Sequence, residues 1–164
     1  MKNVIFVDLD ETLIHTFSPF EGEEVSEDAV PVKVPGDKFN YKTSLRQGSL
    51  EFLQRLRVVG EVRMLTAATT DYANAMNRKF GLGFTAMQIY AREDVAGGAF
   101  APDYFGECKV YLYDNLPRRE NRSKIDFLRP LGEINYIQVP AYWGYNDVAG
   151  LDDNTIERLV SMIK

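Results

Sequence analysis

The chain is poor in the residues that soft or redox-active sites need. Its 164 residues include one cysteine, Cys108, and one histidine, His15. One cysteine cannot close an internal disulfide, which suits a reducing compartment. One His beside one Cys also excludes a structural zinc site. No apolar run approaches the ~20 residues of a membrane span. The run Val4–Val7 meets Asp8 too soon to be a signal peptide. An excess of positive charge is missing as well, with 19 Lys+Arg against 24 Asp+Glu and a net charge of −5. That balance argues against broad, sequence-independent contact with nucleic acid. The expectation is a soluble, cytoplasmic protein without membrane or nucleic-acid partners. What the composition leaves abundant is carboxylate.

Hydrophobic residues at 45% and charged residues at 26% describe a globular chain, and the length suits a single domain over residues 1–164. Short apolar runs alternate with longer amphipathic ones, as in βαβ units around a parallel sheet. The pattern predicts strands at Val4–Val7, Val62–Leu65, Ala86–Ala91, Val110–Tyr113 and Asn135–Val139. Helices are predicted near Ser49–Val58, Asp71–Phe80, Ser123–Leu128 and Asp153–Ile163. The first places Leu50, Leu53, Leu56 and Arg57 at helical spacing. The last offers Ile156, Leu159, Val160 and Ile163 as one face, with Asp152 or Asp153 as its N-cap. The expected class is α/β, three-layered and Rossmann-like.

Between about residues 16 and 45 the alternation breaks. Glu21-Gly22-Glu23-Glu24-Val25-Ser26-Glu27-Asp28 is rich in acid, and Val30-Pro31-Val32-Lys33-Val34-Pro35-Gly36 reads as a hairpin arm. The segment is either a solvated loop or a small flap over a site. There is no room for a large cap. As a flap it would repel polyanions and favour substrates with basic neighbours.

Three apolar runs end in polar, oxygen-bearing residues. Val4–Val7 stops at Asp8-Leu9-Asp10-Glu11-Thr12, Val62–Leu65 at Thr66, and Val110–Tyr113 at Asp114-Asn115. Parallel strands joined by right-handed crossovers bring their carboxyl ends to one edge, where ligands bind. Asp8, Asp10, Thr66, Asp114 and Asn115 are therefore expected to converge. Carboxylates gathered without His or Cys select a hard cation such as Mg²⁺. Asp8 and Asp10, two residues apart on extended backbone, point the same way about 7 Å apart. One can attack phosphorus while the other donates a proton to the leaving oxygen.

These residues resemble motif I of the haloacid dehalogenase superfamily, within the branch of RNA polymerase II C-terminal-domain phosphatases and NLI-interacting-factor-like proteins. The resemblance rests on Asp8-Leu9-Asp10-Glu11-Thr12-Leu13-Ile14-His15-Thr16. It continues through Leu45-Arg46-Gln47-Gly48, with Gln47 where proline is usual, and Met64-Leu65-Thr66-Ala67-Ala68. Tyr113-Asp114-Asn115-Leu116-Pro117 follows, with Leu116 in place of serine. Ile137–Trp143 and Leu151-Asp152-Asp153 are similar to the branch's closing strand and helix. The resemblance implies Asp8 as nucleophile and Mg²⁺ ligand. Asp10 would be general acid and base, lending its main-chain carbonyl to the metal. Thr12 would support the motif I turn, and Thr12, Thr66 and Ala67 would form the phosphoryl-binding side. Asp114 and Asn115 would complete the metal shell.

The family's lysine upstream of Asp114 is missing from Gly97–Phe105. Arg92, at the end of a predicted strand, is the favoured substitute, ahead of Lys79 and Lys109. Lys109 precedes Asp114 by five residues, roughly 16 Å along a strand, which sends it to the opposite edge. His15 reads as structural. Trp143, Tyr142 and Tyr145 read as core packing or a stacking platform. Arg118, Arg119 and Arg122 read as contacts for a substrate phosphate or, interrupted by Glu120 and Asp126, as a solvated helix start, which is the preferred reading. The expected activity is a Mg²⁺-dependent phosphomonoesterase acting on a phosphoprotein or other accessible phosphate ester. The alternatives are a nucleotide or small-metabolite phosphatase, or a non-catalytic phosphate-recognising scaffold.

Overall fold

The computed structural model describes residues 1–18, 22–144 and 150–164. In chain order it contains β1 (Lys2–Val7), β2 (Ile14–Phe17), β3 (Val30–Lys33), β4 (Asn40–Leu45), α1 (Ser49–Val59), β5 (Glu61–Leu65) and α2 (Thr70–Phe80). There follow β6 (Ile89–Tyr90), α3 (Arg92–Ala96), β7 (Cys108–Asp114), α4 (Arg122–Leu128), β8 (Ile134–Gln138) and α5 (Asp153–Val160). Five strands form a parallel sheet in the order β6-β5-β1-β7-β8. Its central strand is apolar on both faces because helices cover both. Ile5 and Val7 pack with Phe52, Leu56, Met76 and Leu159, whereas Val4 and Phe6 pack with Tyr90, Phe100, Ile125 and Leu128. This is the expected three-layer α/β architecture. Among the described residues no helix is long and apolar enough to cross a membrane.

Several boundaries differ from the sequence pattern for local reasons. Only Ile89 and Tyr90 of the Ala86–Ala91 run form a strand; Ala86–Gln88 is a 3₁₀ turn. The Gln88 side chain accepts from the Thr85 amide at 3.0 Å, and Met87 lies exposed, so the chain curls before it can pair. In α1 the buried face is Ser49, Phe52, Leu53 and Leu56, while Leu50 and Arg57 face outward. The face therefore turns on Phe52 rather than Leu50. Asp152 caps α5, accepting from the Thr155 amide at 2.8 Å, and that helix ends at Val160. Gly48 precedes α1 at φ +90°, and a Cβ there would overlap the Leu151 carbonyl oxygen. Glycine is required for that close approach.

The insertion after β1 is a separate antiparallel sheet, ordered β2-β4-β3, and it begins at Ile14. Its acidic loop is partly consumed by its own structure. Glu23 accepts from the Ser18 amide at 3.0 Å and meets His15 Nε2 at 2.6 Å. Asp28 accepts from Ser26 and Ser44. Of the acids in this run, Glu24 and Glu27 stay exposed without such partners among the described residues, and Glu21 lies outside them. In the expected acidic flap Glu23 is thus turned inward onto His15, while Asp28 keeps its charge at the surface.

His15 is a structural pin. It is buried, stands edge-on to Phe17 and Trp143, and lies between Glu23 and Glu11, the latter 3.4 Å from Nδ1. Burial pulls the imidazole pKa down, but hydrogen bonds to the two glutamates outweigh it and hold it above the ordinary value. A raised histidine stabilises fully below its unfolded value, and that contribution is lost as pH rises through the folded value. His15→Gln should lower the urea midpoint at about pH 5.5 by an amount equivalent to about 1–2 kcal/mol, with the deficit shrinking at about pH 8.5. A deficit that is constant or grows with pH would contradict the charged clamp. Tyr142 is buried, with its hydroxyl 2.6 Å from Ser44, and Trp143 is half exposed. Tyr145 lies outside the described residues.

Candidate active site

The carboxyl ends of β1, β5 and β7 meet at one edge of the parallel sheet. There a pocket of about 150 Å³ is lined by Asp8, Asp10, Thr66, Ala67, Asp114 and Asn115, together with Glu11, Leu116, Asn121 and Lys124. Asp8 follows β1 directly, and its amide donates to the Tyr113 carbonyl at 2.9 Å, which ties the first strand end to β7. The turn beyond is tight. Glu11 sits at φ +61°, the one non-glycine residue with positive φ among the described residues. Its amide donates to Ile14 at 2.7 Å, and its carbonyl accepts from Tyr142 at 2.8 Å. These two bonds hold a left-handed conformation that costs a non-glycine residue roughly 1 kcal/mol or more.

The counter-charge is Lys124. Its ammonium donates to Asp8 Oδ1 and to Asp114 Oδ2, each at 2.7 Å, and all three side chains are buried. The cation therefore comes from α4, ten residues after Asp114, and not from any of the positions considered above. Arg92 begins α3 on the rim, where its Nε donates to the Ala67 carbonyl at 2.9 Å, and it stands outside the pocket lining. Lys79 lies beside Pro31 and Val32 in a different depression. Lys109, at the start of β7, donates to the Lys164 carbonyl. The sequence does carry a signal for Lys124. It shares the helical phase of Phe127 and Leu128 at i+3 and i+4, the buried face of α4. A lysine on an apolar face needs a buried partner.

Burial, helped by the neighbouring Asp114, outweighs the pull of Lys124 and leaves the Asp8 carboxyl raised to about 6. Burial would lower Lys124, yet the two carboxylates keep its pKa above the ordinary lysine value. Asp8 Oδ2 accepts from the Thr12 hydroxyl at 2.9 Å. Thr12 is fully buried and absent from the pocket lining, so it orients the carboxylate instead of meeting a substrate. Thr66 lines the pocket, and its Oγ1 accepts from the Ala68 amide at 3.1 Å.

Asp10 is held differently. The Tyr72 hydroxyl of α2 donates to Asp10 Oδ1 at 2.7 Å, and Thr16 of β2 stands 2.5 Å from the same hydroxyl. Thr43 of β4 lies 2.8 Å from Thr16. Tyr72 has one proton and gives it to Asp10, so Thr16 donates to Tyr72 and the chain of hydroxyls runs one way toward the carboxylate. Burial pushes Asp10 up to about 7, with Tyr72 opposing and Glu11 and Asp8 assisting. Tyr72 is invisible to motif reading, since it sits inside an ordinary amphipathic helix.

Arg46 braces the loops behind the site. It is fully buried, and its Nη1 donates to the carbonyls of Thr12 at 3.2 Å and Pro140 at 2.6 Å. It also lies over the Tyr142 ring at 5.5 Å, and burial brings its pKa down to about 10, which leaves it charged at neutral pH. The carbonyl that follows Glu11 in the motif I turn is therefore fixed by a cation reaching across from the end of β4.

Comparison with known proteins bears on this geometry. Residues 3–101 match the family described as NLI interacting factor-like phosphatase, a span that contains Asp8, Asp10 and Thr66 but stops short of Asp114 and Lys124. No curated protein matches the chain. Among solved structures, Fcp1, an essential RNA polymerase II CTD phosphatase, is 20% identical with a TM-score of 0.56. A variant of the fission yeast RNA polymerase II CTD phosphatase Fcp1 bound to beryllium fluoride is 18% identical with a TM-score of 0.55. The alignments cover 99% of this chain and 49% and 50% of those chains, so this chain spans about half their length. At these identities the likeness is one of fold. The family match, over more than half of the sequence, is decisive: the chain belongs to the NLI interacting factor-like phosphatases.

Proposed function

We propose that the chain is a Mg²⁺-dependent phosphomonoesterase working through an aspartyl-phosphate on Asp8. The observation that carries the reading is the ammonium of Lys124 seated between Asp8 and Asp114 at the sheet edge. Such a group is needed where a carboxylate must approach the anionic phosphoryl group. In this reading a carboxylate oxygen of Asp8 attacks phosphorus and the ester P–O bond breaks. Asp10, oriented by Tyr72, delivers its proton to the departing oxygen. Asp10 then accepts a proton from the water that hydrolyses the acyl phosphate, which restores Asp8 and releases inorganic phosphate. Lys124 and the Thr66 hydroxyl meet the phosphoryl oxygens.

The donor set fits a hard cation. Asp8 and Asp114 share one ammonium, which leaves negative charge in a buried, all-oxygen site. No cluster of three or more His, Cys, Asp or Glu side chains suited to a metal is found among the described residues. The ligands would accordingly be the two carboxylates, the Asp10 main-chain carbonyl and Asn115. Bound Mg²⁺ would supply charge neutralisation for the phosphoryl oxygens.

The size of the pocket supports a substrate that enters end-on. About 150 Å³ accommodates a phosphoryl group and leaves the group that carries it outside the pocket. A phosphorylated protein side chain suits that opening. In the test, the protein is incubated with an aryl phosphate and Mg²⁺, quenched in acid, and digested. One phosphoryl group is expected on the peptide containing Asp8, and chelation of Mg²⁺ should abolish both the adduct and turnover. Turnover with the adduct on another residue, or unchanged by the chelator, would overturn the reading.

A further inference from the structure

An adjoining face of α4 borders a second opening. A cleft of about 680 Å³ is lined by Arg118, Arg119, Arg122 and Arg129, with Asp126 its single acid and Ile125 among its apolar residues. Arg118 is fixed in place, its Nη1 donating to the Ile134 carbonyl at 3.1 Å with the guanidinium over the Tyr136 ring. Arg129 approaches Asp126 at 3.6 Å. Arg119 and Arg122 are exposed and have no acidic partner within 4.0 Å among the described residues. Four arginines in one cleft stand out on a chain whose net charge is −5. Planar guanidinium forks at this density match phosphoryl and carboxylate oxygens.

The cleft and the active-site pocket share a wall. Asn121 and Lys124 face the pocket, while Arg122 and Ile125 face the cleft. Successive helical residues are about 100° apart, so the two openings lie on adjoining faces of one helix, within roughly 10 Å of each other. An extended peptide covers that distance in about three residues. We propose that the cleft binds a second anionic group, phosphoryl or carboxylate, on the same peptide substrate, about three residues from the phosphate being removed. The proposal rests on the phosphatase reading above and adds a substrate preference to it. The cleft would raise affinity for clustered phosphorylation or acidic flanks without taking part in the chemistry.

Three fluorescent peptides test it: one with a single phosphoserine, one with a second phosphoserine three residues away, and one with glutamate there. Binding is read by anisotropy without Mg²⁺ and turnover as kcat/KM with it. The second phosphoserine should improve both by about tenfold. A similar gain with glutamate would extend the ligand to carboxylates; a gain with phosphoserine alone would narrow it to phosphoryl groups. The double variant Arg119→Gln with Arg122→Gln should erase the gain while hydrolysing an aryl phosphate at the wild-type rate. Equal handling of all three peptides by the wild type, or a gain that survives in the double variant, would overturn the proposal. So would tighter binding of a single-stranded RNA oligomer than of any peptide. If aryl phosphate is not hydrolysed yet the binding gain appears and vanishes as described, the cleft stands and the catalytic reading falls.

Discussion

Lys124→Met is expected to lower kcat/KM on an aryl phosphate by about 10²–10³-fold and to destabilise the fold by about 3–5 kcal/mol. Both effects have one origin. The ammonium donates to Asp8 and Asp114, and all three groups are buried. Methionine keeps the length of the stem but leaves two carboxylates facing each other without a counter-charge in low dielectric. In the proposed reaction it also removes the cation that would meet the phosphoryl oxygens. Urea unfolding without Mg²⁺ measures the first effect, and steady-state kinetics of the folded fraction the second. Added Mg²⁺ should recover much of the stability but little of the rate, because a metal can balance the carboxylates without replacing a hydrogen-bond donor. A variant with wild-type stability and turnover would remove Lys124 from the site.

Asp8→Asn has the larger effect on rate and the opposite effect on the fold. Turnover should fall by at least about 10⁴-fold, since the amide cannot form the acyl phosphate. Stability without Mg²⁺ should hold or rise. With asparagine at position 8 the ammonium of Lys124 still pairs with Asp114, and one of two mutually repelling buried charges is gone. With the amide oxygen turned to Lys124, the new NH2 donates to the Thr12 hydroxyl, whose own proton can turn to Asn115 Oδ1, 3.5 Å away. The contrast between the two variants separates catalysis from folding: both silence the enzyme and only one loosens it. Activity that survives in Asp8→Asn would sink the covalent mechanism.

The sheet was legible because buried parallel strands are written as short unbroken apolar runs, as Val4–Val7 and Val110–Tyr113 are. The convergence of Asp8, Asp10, Thr66, Asp114 and Asn115 followed from topology, since parallel strands present their carboxyl ends together, and all five line one pocket. The parts that escaped are contacts made by long side chains across the fold. Lys124 and Arg46 look like surface residues by type, and only their phase or neighbours betray burial. Tyr72 reaches Asp10 from a helix 62 residues away, a distance in sequence that no local pattern encodes. The strand expected at Ala86–Ala91 was shortened by a side-chain hydrogen bond, Gln88 to the Thr85 amide, which competes with pairing at a range propensity does not register.

The origin of the cation on α4 has a kinetic consequence. Lys124 and Asp114 are 10 residues apart, whereas Lys124 and Asp8 are 116 apart. By loop-closure scaling the short contact costs about 2 kcal/mol less chain entropy than the long one. One half of the charge triad can therefore form inside a single strand–helix unit early in folding, with the lysine already pinned to its nearer partner. In that order the amino-terminal strand meets a cation already in place, and the last carboxylate to join is Asp8, the proposed nucleophile.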